Sequence, residues 1–371
     1  MTNDKISLAQ IQSALSEEGD PWEAGVTSLS LLSPEEQKRH LGVTPPPGEP
    51  TIDELDEKWP EMAAAQQSAA MQATATPSSY DLRDVGGRNF VTPVKDQQSC
   101  GSCVAFGTLA TMESRLRVQR HDPNLSIDLS EAHLFFCLGR DSGASCTGGW
   151  WPAKAYDMLK TKGVVDEACY PYDLSDTECG SLCSNWSQRT MKITGYTNLT
   201  NKPAQIKQWI SSGKGPVSAC FIVYEDFFSY KSGVYRHVTG KKVGGHCVVI
   251  VGYDDSPGYW ICKNSWGPGW GEQGFFRIAY GQCGIDSWGN HGIDAIENTG
   301  WHSRRQVNGL WASSHKRNAW AHFQGLGWKK ISDKSDDIFF DMLAQLIAAK
   351  SASRPVSFYE EKGVIKQIYV L

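Results

Sequence analysis

The chain has 371 residues, long enough for two or three domains. Its 36 Lys and Arg against 41 Asp and Glu leave a net charge of −5, which argues against a broad nucleic-acid-binding surface. With 40% hydrophobic and 11% aromatic residues it can bury a core, yet its longest apolar runs, such as Cys247–Val251, fall far short of the ~18 residues of a membrane span.

Residues 1–60 are polar. Ile6, Leu8, Ile11 and Leu15 recur at a helical period and predict one amphipathic helix. Ser33-Pro34-Glu35-Glu36 reads as an N-cap followed by proline, opening a short helix that stops near Leu41-Gly42. The prolines from Pro45 to Pro50 predict a stiff extended segment. Residues 63–79, low in complexity, predict an exposed linker and the preferred place for a proteolytic cut. Met1-Thr2-Asn3-Asp4-Lys5 carries no apolar stretch of the secretory-signal type. No GxxxxGK[ST] loop is present to cradle nucleotide phosphates.

From about Tyr80 the composition turns to Gly, Trp and Cys. A helix is predicted over residues 104–120, with Phe106, Leu109, Ala110, Met112 and Leu116 forming a buried stripe. A second helix is predicted over Trp151–Lys160. Short strands follow at Val217–Val223, Cys247–Tyr253, Tyr259–Lys263 and Gly274–Ile278. A helical half followed by a strand-rich half is an α+β pattern. Residues 300–371 read as a separate small ββαββ unit. Its strands are Gly309–Ser313, Ala319–Phe323, Val356–Tyr359 and Val364–Tyr369, and its helix carries Ile338, Phe339, Met342, Leu343, Leu346 and Ile347. The expected domains are therefore 1–77, 78–299 and 300–371. Eleven cysteines, most between Cys100 and Cys183, predict a local disulfide framework, and the odd count leaves at least one thiol free or paired between chains.

The chemistry concentrates at Gln97-Gln98-Ser99-Cys100-Gly101-Ser102-Cys103. Cys103 falls where a loop enters a helix, and there unpaired N–H groups and the helix dipole favour a thiolate nucleophile. The Cys103 amide and the Gln97 side chain are candidate oxyanion donors. Of nine histidines, His246 stands out because Gly244-Gly245 precede it and an apolar strand follows; His237 and His291 lack such a strand. Asn264, just beyond the next strand, is placed to orient the imidazole, with Trp266 shielding that bond from water. Cys100-x-x-Cys103 also fits a redox pair or half a zinc site, but no second CxxC stands at zinc spacing.

These segments, with Gly245-His246-Cys247-Val248-Val249 and Asn264 through Gly271, resemble the papain family of cysteine proteases. Cys103 and His246 are 143 positions apart, inside the ~130–150 window of that family. Leu129-Ser130-Glu131, Cys146 through Trp150, Tyr170-Pro171-Tyr172 and Gly274 through Ile278 add to the likeness, which covers roughly residues 78–297. The resemblance implies a left helical and a right strand-rich domain with a cleft between them. It makes Cys103 the nucleophile, His246 the base and acid, Asn264 the orienting residue, and Gln97 with the Cys103 amide the oxyanion hole. Gly148 and Gly149 would pair with the substrate backbone, Trp150 would line the cleft or merely pack, and Trp288 would floor a shallow specificity pocket. It implies disulfides Cys100–Cys146 and Cys137–Cys179, to which Cys169–Cys183 is added as a further expected pair. Cys220, Cys247, Cys262 and Cys283 remain as free thiols. Val104 departs from the tryptophan usual after the nucleophile.

Trp22-Glu23-Ala24-Gly25 and Leu41-Gly42 resemble the short propeptide of cathepsin B-type enzymes. This implies a zymogen in which residues 1–77 lie along the cleft as an intramolecular inhibitor. No histidine-bearing insertion separates Cys146 from Tyr170, so endopeptidase action on protein or peptide is expected. No cofactor, metal, nucleic acid or membrane span is expected. The cysteine pattern points to an oxidising compartment reached without an N-terminal signal, or alternatively to cytoplasm with reduced thiols. Two other functions use the same residues: a deamidase or acyltransferase with the same Cys–His pair, and an inactive binding protein whose cleft stays blocked.

Overall fold

The structure, a computed structural model, describes residues 5–72, 76–174, 178–297, 299–323, 326–361 and 363–371. It divides into two compact units, Met1–Ile296 and Glu297–Leu371, each with its own core. The architecture is α+β.

The first unit is built around its most apolar sequence. Val217–Tyr224 is buried at every position, as a strand covered on both faces must be. It pairs antiparallel with Lys242–Asp254, which sets Phe221 opposite His246 and Cys220 opposite Cys247. Beyond Lys242–Asp254 come Tyr259–Lys263, Phe275–Ala279 and Tyr230–Tyr235, with Trp22–Ala24 at the edge. On the other side lie His291–Ile296 and Ile193–Asn198, and Ser79–Asp81 pairs separately with Lys242–Asp254. The helix Cys103–Gln119 packs on Lys242–Asp254, His291–Ile296 and the helix Pro152–Thr161. Its sequence predicts a single buried stripe. In the structure Thr108, Glu113 and Ser114 are buried as well, because neighbours enclose most of its circumference.

The N-terminal segment is more ordered than its composition predicts. Leu8–Glu17 and Pro34–Lys38 are helices, each opened by a reciprocal Ser–Gln or Ser–Glu capping box. Residues 63–71 are not an exposed linker. They complete a helix, Ile52–Met71, that Thr51 and Glu54 cap in the same way. Leu55, Trp59, Gln66 and Ala70 bury one face of it, and the Ala-rich run has high helix propensity. Pro60 inside the helix conceals it from pattern reading, since proline ordinarily ends a helix. Residues 73–75 of the expected linker lie outside the described residues.

The second unit is a six-stranded sheet with the helix Asp336–Ser351 against one face. It holds two strands beyond the expected four, Thr299–Arg305 and Gly327–Ile331. The second was hidden because Lys329 occupies a core-facing position; its Nζ pairs with buried Glu360 at 3.0 Å, which replaces an apolar residue in the alternation. Phe339, Met342, Leu346 and Ala349 face the core, whereas Ile347, expected in that stripe, is exposed.

Candidate active site

The helix Cys103–Gln119 begins at the candidate nucleophile. Ser102 before it makes no capping bond; its Oγ lies 2.8 Å from the Tyr172 hydroxyl instead. The first N–H groups of the helix are thus left without a side-chain cap. The Cys100–Cys146 disulfide and a 2.9 Å bond from Gly101 N to Cys146 O hold the entering loop. Cys137–Cys179 and Cys169–Cys183 are also bonded, and Cys103, Cys220, Cys247, Cys262 and Cys283 are buried free thiols.

His246 is buried on its strand, stacked on Trp266 with ring centroids 4.6 Å apart. Lys263 ends the neighbouring strand opposite Val249, and Asn264 then reaches His246: Oδ1 lies 2.7 Å from Nε2. Ser265 N donates to the same Oδ1 at 2.8 Å, which identifies that atom as the oxygen. The imidazole proton is therefore assigned to Nε2, leaving Nδ1 as a lone pair. Nδ1 is buried and makes no hydrogen bond among the described residues.

Gln97 is fully buried and held from several sides. Its N donates to Ser265 O at 2.9 Å, and its Oε1 accepts from Ser265 Oγ at 2.6 Å. With Oε1 tied, Nε2 donates to Cys100 O at 2.8 Å and to His40 O at 3.1 Å. His40 belongs to the N-terminal segment, which crosses the site here. Gly42 N and Val43 N each donate to Gly245 O at 3.1 Å. Trp150 N donates to Gly42 O at 2.8 Å, and Thr44 N to Trp150 O at 2.9 Å. Backbone pairing with the crossing segment thus falls to Trp150; among the described residues Gly148 O accepts from the Thr44 hydroxyl alone. A side chain at Gly149 would stand 2.2 Å from Gly42 O. Val43 is buried over Gly245, and the Trp288 ring covers the same glycine. Trp288 Nε1 donates to Pro50 O at 3.3 Å.

Under this cover both titrating groups are neutral. Burial, then the adjacent Cys247, pushes the Cys103 thiol well above its ordinary value, against the opposing pull of the Cys247, Gly42 and Val104 backbone. Burial pushes His246 down to about 3, partly offset by its bond to Asn264. Three supporting residues carried no role in the sequence pattern. Ser265, Tyr172 and Glu131 all stand inside recognised motifs, Ser265 fixing the Gln97 amide and the Tyr172 hydroxyl donating to Gln97 O at 2.9 Å. Glu131 is buried against Lys95 at 2.8 Å, beside the loop that carries Gln97.

Residues 76–292 match the profile of the papain family cysteine protease. The chain is 36% identical to the cathepsin B-like CP3 of Giardia intestinalis over 60% of its own length and 76% of that protein's. It is 34% identical to a gut-specific cysteine proteinase of Caenorhabditis elegans, over 61% and 76% of the two chains. Among solved structures, the digestive procathepsin L2 proteinase from Tenebrio molitor larval midgut superposes with a TM-score of 0.61 at 29% identity, covering 77% of this chain and 88% of that one. The procathepsin B S9 from Trypanosoma congolense has the same fold, with a TM-score of 0.62 at 24% identity over 79% and 98%.

Proposed function

We propose that this chain, which belongs to the papain family of cysteine proteases and is a cysteine endopeptidase made as a zymogen, cleaves peptide bonds through Cys103, His246, Asn264 and Gln97. His246 Nδ1 takes the thiol proton as the sulfur attacks the scissile carbonyl. Gln97 Nε2–H and the Cys103 amide meet the charge that develops on the carbonyl oxygen. His246 then protonates the leaving amine, and water hydrolyses the thioester. Asn264 keeps the proton on Nε2, and Trp266 shields that bond. Residues 1–77 keep the enzyme latent by lying on these groups. Val43, over the same Gly245 that Trp288 covers, fills the main specificity pocket, and the Trp150 backbone takes the pairing position that a substrate would use.

The observation that carries this reading is the 3.1 Å bond from Gln97 Nε2 to His40 O: the amide donor already meets a peptide carbonyl in the cleft. Replacing Gln97 by alanine is expected to lower kcat by ~10²–10³, the usual effect of losing one oxyanion donor. An unchanged kcat would remove Gln97 from that role. Asn264→Ala frees the ring to turn and is expected to retain measurable turnover, well above that of Cys103→Ala.

A fluoromethyl-ketone probe tests the whole site. In the intact chain the thiol is held high, so it becomes a thiolate only at alkaline pH. The imidazole, pushed down to about 3, is uncharged above that pH and offers no cation to stabilise a thiolate. Labelling of the intact chain is expected to rise with pH through the alkaline range. Cutting near residue 77 lets water reach the pair, and labelling is then expected at mildly acid pH. Coincident pH profiles before and after cutting, or a label on any residue but Cys103, would overturn the proposal.

A further inference from the structure

The second unit carries a feature that peptide hydrolysis does not use. Its core, including Val307, Ala321, Phe323 and Ile331, lies on the helix-covered face of the sheet. The opposite face presents Trp311, Trp320 and Trp328 from three successive strands. Trp311 and Trp328 are each 50% exposed, although a solvent-facing sheet normally carries polar residues there. Together the three indoles wall an open cleft of about 350 Å³, within the size range of small-ligand sites.

The rings are arranged as surfaces rather than as a packed cluster. Trp311 and Trp320 stand opposite each other in the strand register. Trp328 pairs with His322, and its ring extends past that residue to lie over Gly309. A side chain at Gly309 would meet Trp328 Cη2 at 3.1 Å, so the glycine is what leaves room for the ring there. Among the described residues none of the three indoles stacks on another. Trp320 Nε1 donates to Asn318 Oδ1 at 3.2 Å, and Asn318 Nδ2 donates to Ser313 Oγ at 2.8 Å. That network spends the polar edge of Trp320 inside the protein, so the edge is not available to a peptide carbonyl and the face is what remains.

Two cations close in sequence to these tryptophans are already paired. Arg317 is paired with Asp336 at 2.6 Å and Lys330 with Asp333 at 2.5 Å. Among the described residues no carboxylate lines the cleft to hold a cation, and these two cations are compensated before any phosphate arrives. What fits is an uncharged ligand with flat apolar faces and many hydroxyls: the C–H face of a pyranose ring rests on the electron-rich indole face, and the Ser313–Asn318 rim meets its hydroxyls. We infer that the Trp311–Trp320–Trp328 face is a binding platform for an uncharged polysaccharide.

The test is co-sedimentation of the intact chain with insoluble cellulose, chitin and amylose, with tryptophan emission followed on soluble cello-, chito- and malto-oligosaccharides. Retention on at least one polysaccharide is expected, with at least a tenfold loss of affinity in Trp311→Ala and Trp328→Ala. Both variants should keep the parental melting temperature, since the two rings are half exposed and outside the core, and both should keep turnover of a soluble peptide after cutting near residue 77. Trp320→Phe, which keeps a flat ring, should retain part of the binding. No retention on any of the three, retention that the tryptophan substitutions leave unchanged, or binding confined to heparin, RNA or polyproline would overturn the inference.

Discussion

Replacing Cys103 by alanine is expected to lower kcat on peptide substrates by on the order of 10⁶, the scale seen when a catalytic nucleophile is removed. The figure follows from what the remaining groups can do alone. Gln97 would still donate to a carbonyl, and His246 would still be held by Asn264, but no covalent intermediate forms. Polarisation and binding by themselves leave a residual ~10³–10⁴ over water. The substitution exchanges a thiol for a hydrogen at the first residue of a long, well-packed helix, so folding is not at stake. Thermal unfolding of the intact chain should stay close to the parent's, because the Cys100–Cys146 bond that anchors the loop is untouched. Turnover by the trimmed enzyme, measured with a fluorogenic peptide, is the deciding quantity. Residual activity above about a thousandth of the parent's would mean that another group performs the attack. Cys247, whose backbone borders the Cys103 sulfur, is the thiol that would then come under suspicion.

How much of this was legible beforehand depended on whether a residue's role is local. Cys103 and Gln97 share one short segment whose chemistry is readable locally, whereas His246 and Asn264 gain meaning only in company with Cys103 and with each other; the fold brings His246, Asn264 and Gln97 into bonded contact through Ser265 and the strand pair. Roles that depend on distant chain were not legible. Gly148 and Gly149 looked like the residues to pair with an extended backbone, yet only the folded cleft reveals that Trp150 offers both its N–H and its carbonyl there. The helix Ile52–Met71 was concealed by Pro60, and its buried face becomes meaningful only against distant chain, including Pro203–Trp209, Gln282–Gly284 and Tyr224, whose hydroxyl accepts from Trp59 Nε1 at 2.8 Å. Lys329 disguised a strand because its burial needs Glu360, thirty-one residues later. In each case a tertiary partner supplies the reason, and no window of sequence contains both halves.

The second large effect concerns latency, and it turns on a residue with no side chain. Gly42 lies so close to the nucleophile loop that a Cβ there would stand 1.9 Å from Gly101 O and 2.4 Å from Gly101 C. These are backbone atoms, and they cannot retreat: Gly101 N is bonded to Cys146 O, and Cys100 is bridged to Cys146. In Gly42→Ala the crossing segment must therefore lift. Lifting breaks the bonds from Gly42 N and Val43 N to Gly245 O and from Trp150 N to Gly42 O, and it exposes Val43. Losing these three hydrogen bonds at about 1 kcal/mol each weakens closure by about 3 kcal/mol even before the exposure of Val43 is counted. That corresponds to a ~10²-fold rise in the fraction of molecules with an open site. The labelling rate of Cys103 in the intact chain is expected to rise by the same factor, and the chain should begin to cut itself under conditions where the parent is silent. Gly25→Ala provides the control within the same segment. Its Cβ would meet Lys231 Cγ at 2.8 Å, a flexible side chain that can swing aside, so latency should hardly change. If Gly42→Ala labels no faster than Gly25→Ala, the crossing at residues 40–44 is not what keeps the thiol out of reach.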